Sequence, residues 1–271
     1  MKKIYLLFII LYFPFHLFAS NDPMTGGARS LSLGSCSVTL ADPYSILSNQ
    51  AAMAFEKEIS FALYAENRFL QKELGYYSGG LTLPTKSGTF GLAINYSGFD
   101  LYNEKKIGLG YGRLFSKNIS GSLQMDYLST SISEYGSASA LTFELGLLVK
   151  INKQLSTAAH LYNPVAVKSG FDDEKIPTLF RLALSYEPSD KIFMITEIAK
   201  DIDFPARFKA GIEYRIINEL HLRGGIATNP SQYSLGVGIN VQHLKIDLAS
   251  SYHQILGFTP AFSLSYVFAK K

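Results

Sequence analysis

The chain has 271 residues, with 25 Lys and Arg against 22 Asp and Glu and only 17% charged residues in all. A balance this close to neutral excludes the clustered basic footprint of a nucleic-acid binder, so no nucleic-acid partner is expected. A single Cys excludes an intrachain disulfide framework, while aromatic residues reach 13% with no Trp.

Lys2 and Lys3 precede a mostly apolar run from Ile4 to Phe18, and Ala19 and Ser20 are small enough for cleavage. This pattern predicts an export signal over 1–20. Loss of Lys2 and Lys3 lowers the formal net charge from +3 to +1. The run is short for a membrane span, which needs about 20 apolar residues, and no later segment supplies a spanning helix. Any membrane protein built from this chain is therefore a closed barrel, because only helices and barrels satisfy every backbone polar group in lipid. Leu33-Gly34-Ser35-Cys36 has the look of a lipoprotein signal end, but it lies too far beyond the apolar run, and Cys36 is read as a small buried residue.

Residues 21–57 show no sustained strand alternation. Gly26-Gly27 marks a turn, Asp42-Pro43 predicts a helix start with Asp42 capping, and Ser48-Asn49 predicts another short helix. From about Glu58 the chain changes character. Bulky apolar residues alternate with Gly, Ser, Asn or a charge over windows near 58–65, 73–83, 88–97, 105–115, 119–129, 138–150, 155–162, 178–187, 191–199, 207–216, 219–227, 232–241, 244–252 and 261–268. Period two over such lengths means strands with one greasy face. The windows 73–83 and 191–199 alternate least well. Tight turns near 84–87, 116–118, 152–154, 188–190, 218 and 242–243 take turns with mostly longer connections near 66–72, 98–104, 130–137, 163–177, 200–206, 228–231 and 253–260. Alternating short and long connections suit an antiparallel barrel with unlike rims and both chain ends at the periplasmic one.

A soluble sandwich also alternates, but window length, a small-residue second face and tyrosines at strand ends favour a membrane barrel. Those tyrosines, Tyr64, Tyr96, Tyr127, Tyr162, Tyr186, Tyr214 and Tyr252, are expected to form an interfacial girdle. The fold class is thus an all-β, 14-stranded antiparallel transmembrane barrel over 58–271, preceded by a signal peptide over 1–20 and a hatch over 21–57. A terminal strand ending in an aromatic, Phe268, looks like an outer-membrane assembly signal, although Ala269-Lys270-Lys271 follows it. Outer-membrane lipid is the first expected partner, and the bacterial outer membrane the expected location.

Fourteen strands fall between barrels filled by side chains and barrels that leave a water channel, so the lumen needs a plug, and 21–57 is the candidate. Charges on the inner face would pair with one another or with it: Glu144, Arg181, Glu187, Lys209, Glu213, Arg215, Arg223, Lys245 and Asp247. Arg29, Asp42 and Asn49 are the candidates on the hatch side for these contacts, or they make local turns and caps. Gly108, Gly110, Gly112, Gly236 and Gly238 fall on one strand face, where a missing side chain leaves room for the plug or a neighbouring backbone. No enzyme is expected. The histidines beyond the signal, His160, His221, His243 and His253, come with no G-x-S-x-G and no H-E-x-x-H, so no catalytic residue, metal or cofactor is assigned.

Gly27-Ala28-Arg29-Ser30-x-x-Leu33-Gly34, Val38-Thr39-Leu40-Ala41-Asp42-Pro43-Tyr44-Ser45 and Asn49-Gln50-Ala51-Ala52 together resemble the N-terminal hatch of the FadL and PorV/PorQ-like outer-membrane barrels. Many such relatives carry Asn-Pro-Ala where Asn49-Gln50-Ala51 stands here. The resemblance implies fourteen strands, an N-terminal plug, and one of two roles. The small, charged inner face and the polar connection at 163–177, with Asp172, Asp173, Glu174 and Lys175, favour an accessory or scaffold barrel in protein secretion or surface export, of the type IX branch. Its partners would be secretion machinery or exported proteins. The alternative is a FadL-like channel for uptake of small hydrophobic molecules.

Overall fold

The computed structural model describes residues 26–168 and 175–268. The expected signal segment 1–20, the acidic tip Asp172–Glu174 and the tail after Phe268 lie outside the described residues. Fourteen strands follow one another in chain order: β1 Ser60–Asn67, β2 Gly75–Pro84, β3 Thr89–Phe99, β4 Tyr102–Leu114, β5 Ile119–Ile132, β6 Gly136–Lys150, β7 Leu155–Tyr162, β8 Leu179–Ser189, β9 Ile192–Asp201, β10 Arg207–Ile217, β11 Leu220–Ala227, β12 Gln232–Val241, β13 Leu244–His253 and β14 Gly257–Val267. Each pairs antiparallel with its sequence neighbours, and β1 pairs with β14 through Ala62–Ser265 and Leu63–Leu264, so the sheet closes into a barrel with no free edge.

Two details differ from the sequence reading. The connections expected to be long at 98–104 and 130–137 shrink to 100–101 and 133–135, because β3 to β6 run on past the apolar windows. At those two places the alternation of short and long fails, although the strand count stands. β14 starts at Gly257, four residues earlier than the window 261–268, and includes Pro260. Pro260 pairs with Ser250 on β13 but lies past the last β1 pair, Glu66–Ala261, so its missing N–H breaks no ladder bond to β1.

The period-two pattern sorts the side chains between two faces. In β12, Tyr233, Leu235 and Val241 point outward at 54%, 72% and 54% exposure, while Ser234 is buried. Similar apolar residues line the outside of nearly every strand, a far larger apolar surface than the few hundred Å2 a soluble monomer leaves exposed. Tyr127, Tyr186, Tyr214 and Tyr252 lie on this outer face. Tyr64 and Tyr162 do not: both share parity with inward residues and are buried. The Tyr64 hydroxyl donates to Glu66 and its ring packs edge-on against Tyr76. Lys106 Nζ sits 5.2 Å from the centre of the Tyr162 ring.

Residues 26–57 lie inside the barrel. The helix α1, Ala28–Ser32, packs on β11 to β14, and 3-10 turns at Ser45–Leu47 and Gln50–Phe55 pack on β2 to β6. Asn49 caps the second turn, its side-chain oxygen accepting from Ala51 N at 3.2 Å. Asp42 bends the chain before the first by accepting from Tyr44 N at 3.1 Å. Bringing backbone this close to the wall needs glycine on the wall. A Cβ on Gly112 would stand 2.6 Å from the Gln50 carbonyl oxygen, and one on Gly211 would stand 2.6 Å from that of Leu33. Of the five glycines singled out in the sequence, Gly110, Gly112 and Gly236 face the inner segment, while Gly108 and Gly238 give room to the barrel's own Gln124, Asp126, Arg223 and Asp247.

Candidate functional site

The space between the inner segment and the barrel wall has two unlike flanks. Along β6 to β13 ionic contacts surround two small apolar patches, Val38, Ala51 and Ala52 against Leu148, Ala158 and Ala183, and Leu33, Cys36 and Leu40 against Ile195. Arg29 spans the gap, donating to both Glu213 oxygens at 2.9 and 3.1 Å and to Asp42 Oδ2 at 3.2 Å. Such a fork on a carboxylate fixes direction as well as charge. Burial opposes the Arg29 charge, but Glu213 and Asp42 outweigh it and hold the guanidinium above its ordinary pKa. Glu213 also accepts from Arg223, which reaches on to Asp247.

Next around the wall, Glu197 Oε2 accepts from the backbone N–H groups of Ser37 and Val38 at 2.8 and 3.2 Å. Its other oxygen takes Lys209 Nζ at 2.9 Å, and the same lysine donates to the Ser35 carbonyl at 3.0 Å. Arg181 donates to Ser37 Oγ at 3.2 Å and to the Ser48 carbonyl at 2.6 Å, with His160 Nδ1 at 2.9 Å. His160 Nε2 lies 2.8 Å from Glu144, which also accepts from Gln50 at 2.9 Å and from Lys106 at 2.6 Å. Every buried charge in this chain of contacts meets an opposite charge or a hydrogen-bonding group, the condition under which burying it is tolerable.

The other flank, along β14, β1, β2 and β3, carries almost no charge. Leu31, Tyr44, Ile46, Leu47 and Met53 of the inner segment form one buried cluster with Ala62, Tyr64, Tyr76, Ala93 and Ala261 of the wall. At the edge of this flank Glu56 accepts from the hydroxyls of Thr82, Ser60 and Ser45 at 2.7, 2.9 and 3.1 Å. Burial pushes its carboxyl up from the ordinary 4.5 to about 7, although the three donors favour the charged form. A further apolar patch sits at the rim away from the chain ends. There Ile176, from the connection read as polar, packs with Leu128 and Tyr162. Asn163 holds that connection, accepting from Thr142 Oγ1 at 2.7 Å and donating to the Ile176 carbonyl at 2.9 Å.

The structure thus brings Arg29, Asp42, Glu213, Arg223 and Asp247 into one group, and places Glu144, Arg181 and Lys209 in the rest of the ionic flank. Asn49 caps locally, donates within the inner segment to the Val38 carbonyl at 2.8 Å, and reaches across to the Leu147 carbonyl of β6 at 3.4 Å. Glu187 is exposed at the rim. Arg215 and Lys245 face the interior but take no ion-pair partner among the described residues. Lys106, Asp126, Glu197, Gln50 and Glu56 escaped the sequence reading. Parity would have found Lys106, two and four residues before Gly108 and Gly110, but its neighbour Lys105 masks the alternation. Glu197 hides because β9 is apolar on both faces: inward Ile195 packs on Leu33, Cys36 and Leu40. Cys36 is buried in that cluster, where burial and the nearby Glu197 charge push its thiol pKa up.

No protein-family model and no curated sequence matches the chain. Solved structures do. The Ralstonia pickettii toluene transporter TbuX superposes with a TM-score of 0.72 at 12% identity, over 91% of this chain and 99% of that one. The CymD monoaromatic hydrocarbon channel gives 0.69 at 11% identity, over 92% and 99%. A Pseudomonas aeruginosa FadL homologue gives 0.62 at 14% identity, over 90% and 97%. At these identities the likeness establishes the fold, a 14-stranded barrel like those of FadL-type transporters. The expected PorV/PorQ, type IX branch finds no support in these structures, which are transport channels rather than secretion accessories or enzymes.

Proposed function

We propose that the chain is a bacterial outer-membrane channel for small hydrophobic molecules, exported by its 1–20 signal, with residues 26–57 as the hatch that closes the lumen. The observation that carries this reading is the asymmetry of the lining. Leu31, Tyr44, Ile46, Leu47 and Met53 meet a wall of Ala62, Tyr64, Tyr76 and Ala93, a seam across which no ion pair joins the inner segment to the wall among the described residues, the Glu66–Arg68 pair lying within the barrel side. An apolar solute replaces such contacts with contacts of its own kind, whereas the ionic flank admits it only at the cost of stripping buried charges of their partners. Ile176, Leu128 and Tyr162 offer apolar surface at the far mouth, which faces outside when both chain ends are periplasmic. The resemblance to toluene and monoaromatic-hydrocarbon channels supports the same class of solute.

The test is uptake by whole cells whose outer leaflet is lipopolysaccharide, a barrier to apolar molecules. Expression of the chain is expected to accelerate entry of labelled toluene but not of glucose. Equal toluene entry with and without the protein would end this reading. The secretion-accessory reading draws on one observation, the tight ionic anchoring of the hatch, and is tested separately: deletion would then change which proteins reach the cell surface.

A further inference from the structure

At the rim that carries both chain ends, between the inner segment and β10 to β14, lies a cavity of about 170 Å3. A water molecule takes roughly 30 Å3 of liquid, so this space holds a small polyatomic ion with some of its hydration. Its wall contains three carboxylates, Asp42, Glu213 and Asp247, and all three are taken up by Arg29 and Arg223. Two further cations on the wall, Arg215 and Lys245, have no acidic partner among the described residues. Arg215 Nε is buried and makes no hydrogen bond there. Between them on the wall, Asn240 Nδ2 lies 2.8 Å from His221 Nε2. The other ring nitrogen, Nδ1, is buried without a hydrogen bond among the described residues, 3.6 Å from Glu213 Oε1.

We propose that this cavity binds a small oxyanion, a carboxylate or a phosphate group, held by the Arg215 guanidinium and the Lys245 ammonium. Charge accounts for it. Four cations and three carboxylates line the space, a net excess of one positive charge, and because Arg29 and Arg223 share all three carboxylates, Arg215 and Lys245 face it without an acidic partner among the described residues. The planar fork of Arg215 suits two oxygens of one group, and Lys245 adds a point charge from β13. Register brings them to the same mouth: Arg215 pairs with His221, and Lys245 with Asn240. The oxyanion has two sources. It is either a free anion of the periplasm or the head of a solute whose apolar body lies against Tyr44, which borders both this cavity and the apolar seam.

The experiment is isothermal titration of the full chain in detergent micelles with inorganic phosphate, acetate and benzoate, and with toluene as the neutral control. Saturable binding of phosphate or acetate is expected, falling about 100-fold in the double variant Arg215→Met, Lys245→Met. Heat-modifiable mobility on gels checks that this variant is folded. If it is not, Lys245→Gln alone is expected to weaken binding about 10-fold. Benzoate binding much tighter than acetate assigns the site to a solute-borne carboxylate, and phosphate binding at least as tight as benzoate assigns it to a free anion. Absence of saturable binding by the unaltered chain, or equal binding by the variants, overturns the proposal. The titration involves no transport, so its failure is distinct from failure of the channel reading.

Discussion

Along β14, β1, β2 and β3 the inner segment meets the barrel through Tyr44, Ile46, Leu47 and Met53, groups that hold by exclusion of water and by close packing. Along β6 to β13 the same segment is held by Arg29, by the N–H groups of Ser37 and Val38, and by Gln50, each reaching a carboxylate of the wall. The first kind of contact is non-directional and tolerates exchange for another apolar body. The second fixes position and loses heavily when one partner is removed. On the channel reading proposed above, one side of the lumen gives way to a solute and the other keeps the inner segment in register while it does so. Cys36 reports on both, because it is the chain's only thiol and lies within the inner segment itself, fully buried against the wall. Its labelling by a maleimide measures release of the segment.

The largest effect is expected at Glu213. Glu213→Ala leaves Arg29 and Arg223 each with half its partners in a buried site, at a cost of about 4 kcal/mol. Cys36 labelling should accelerate several hundredfold and ionic leak should appear in planar bilayers. Unchanged labelling would mean that the ionic flank does not hold the hatch. On the other flank, Ile46→Ala removes a buried side chain that touches the space above Gly80, Gly91 and Gly110, at about 3 kcal/mol. Here toluene entry should rise while ionic leak stays low. A variant that leaks ions as freely as Glu213→Ala would erase the distinction between the flanks.

Glu56, at the border, makes the comparison depend on pH. Its raised pKa means that the docked hatch binds the proton more tightly than the released one. Docking is then strongest below pH 4.5, weakens as pH rises toward about 7, and is flat above. A shift of this size corresponds to roughly 3 kcal/mol at full strength, and for a side chain partly open to water to about 2. The ratio of labelling rates between the unaltered chain and Glu56→Gln should rise across that window. A constant ratio would show that Glu56 does not couple protonation to docking.

The barrel was legible because lipid and lumen impose opposite demands on successive residues, and period two survives in nearly every strand. It faded where the inner segment brought grease to the inside. Ile195 and Phe193 face apolar hatch residues, so β9 reads as apolar on both sides. Tyr64 and Tyr76 turn inward for the same reason, which misplaced Tyr64 in the girdle. The ionic flank was half legible: parity placed Glu213, Arg223 and Lys209 inward, but nothing in the sequence pairs Glu197 with the backbone of Ser37, a contact across 160 residues. The apolar seam was not legible at all, because its wall is made of alanines and tyrosines that a period-two reading counts as merely small or merely interfacial.

The smallest effect expected comes from the wall's missing side chains. Gly112 lies on β4 facing the second 3-10 turn, and a methyl group there would stand 2.6 Å from the Gln50 carbonyl oxygen, a backbone atom held in place by the turn. Gly112→Ala therefore has to push the turn inward, and overpacking of this kind costs about 1–2 kcal/mol. Gly79 is the control: a methyl on it would meet Leu63 at 3.6 Å, an ordinary contact on the opposite face. Gly79→Ala should leave Cys36 labelling unchanged, and Gly112→Ala should raise it roughly tenfold. Displacing this turn also strains the Gln50–Glu144 bond, so Gly112→Ala combined with Gln50→Ala should raise labelling less than the product of the two single changes. Equal effects of the two alanines would mean that the close approach at β4 does not position the hatch, and that the anchoring rests on the charges alone.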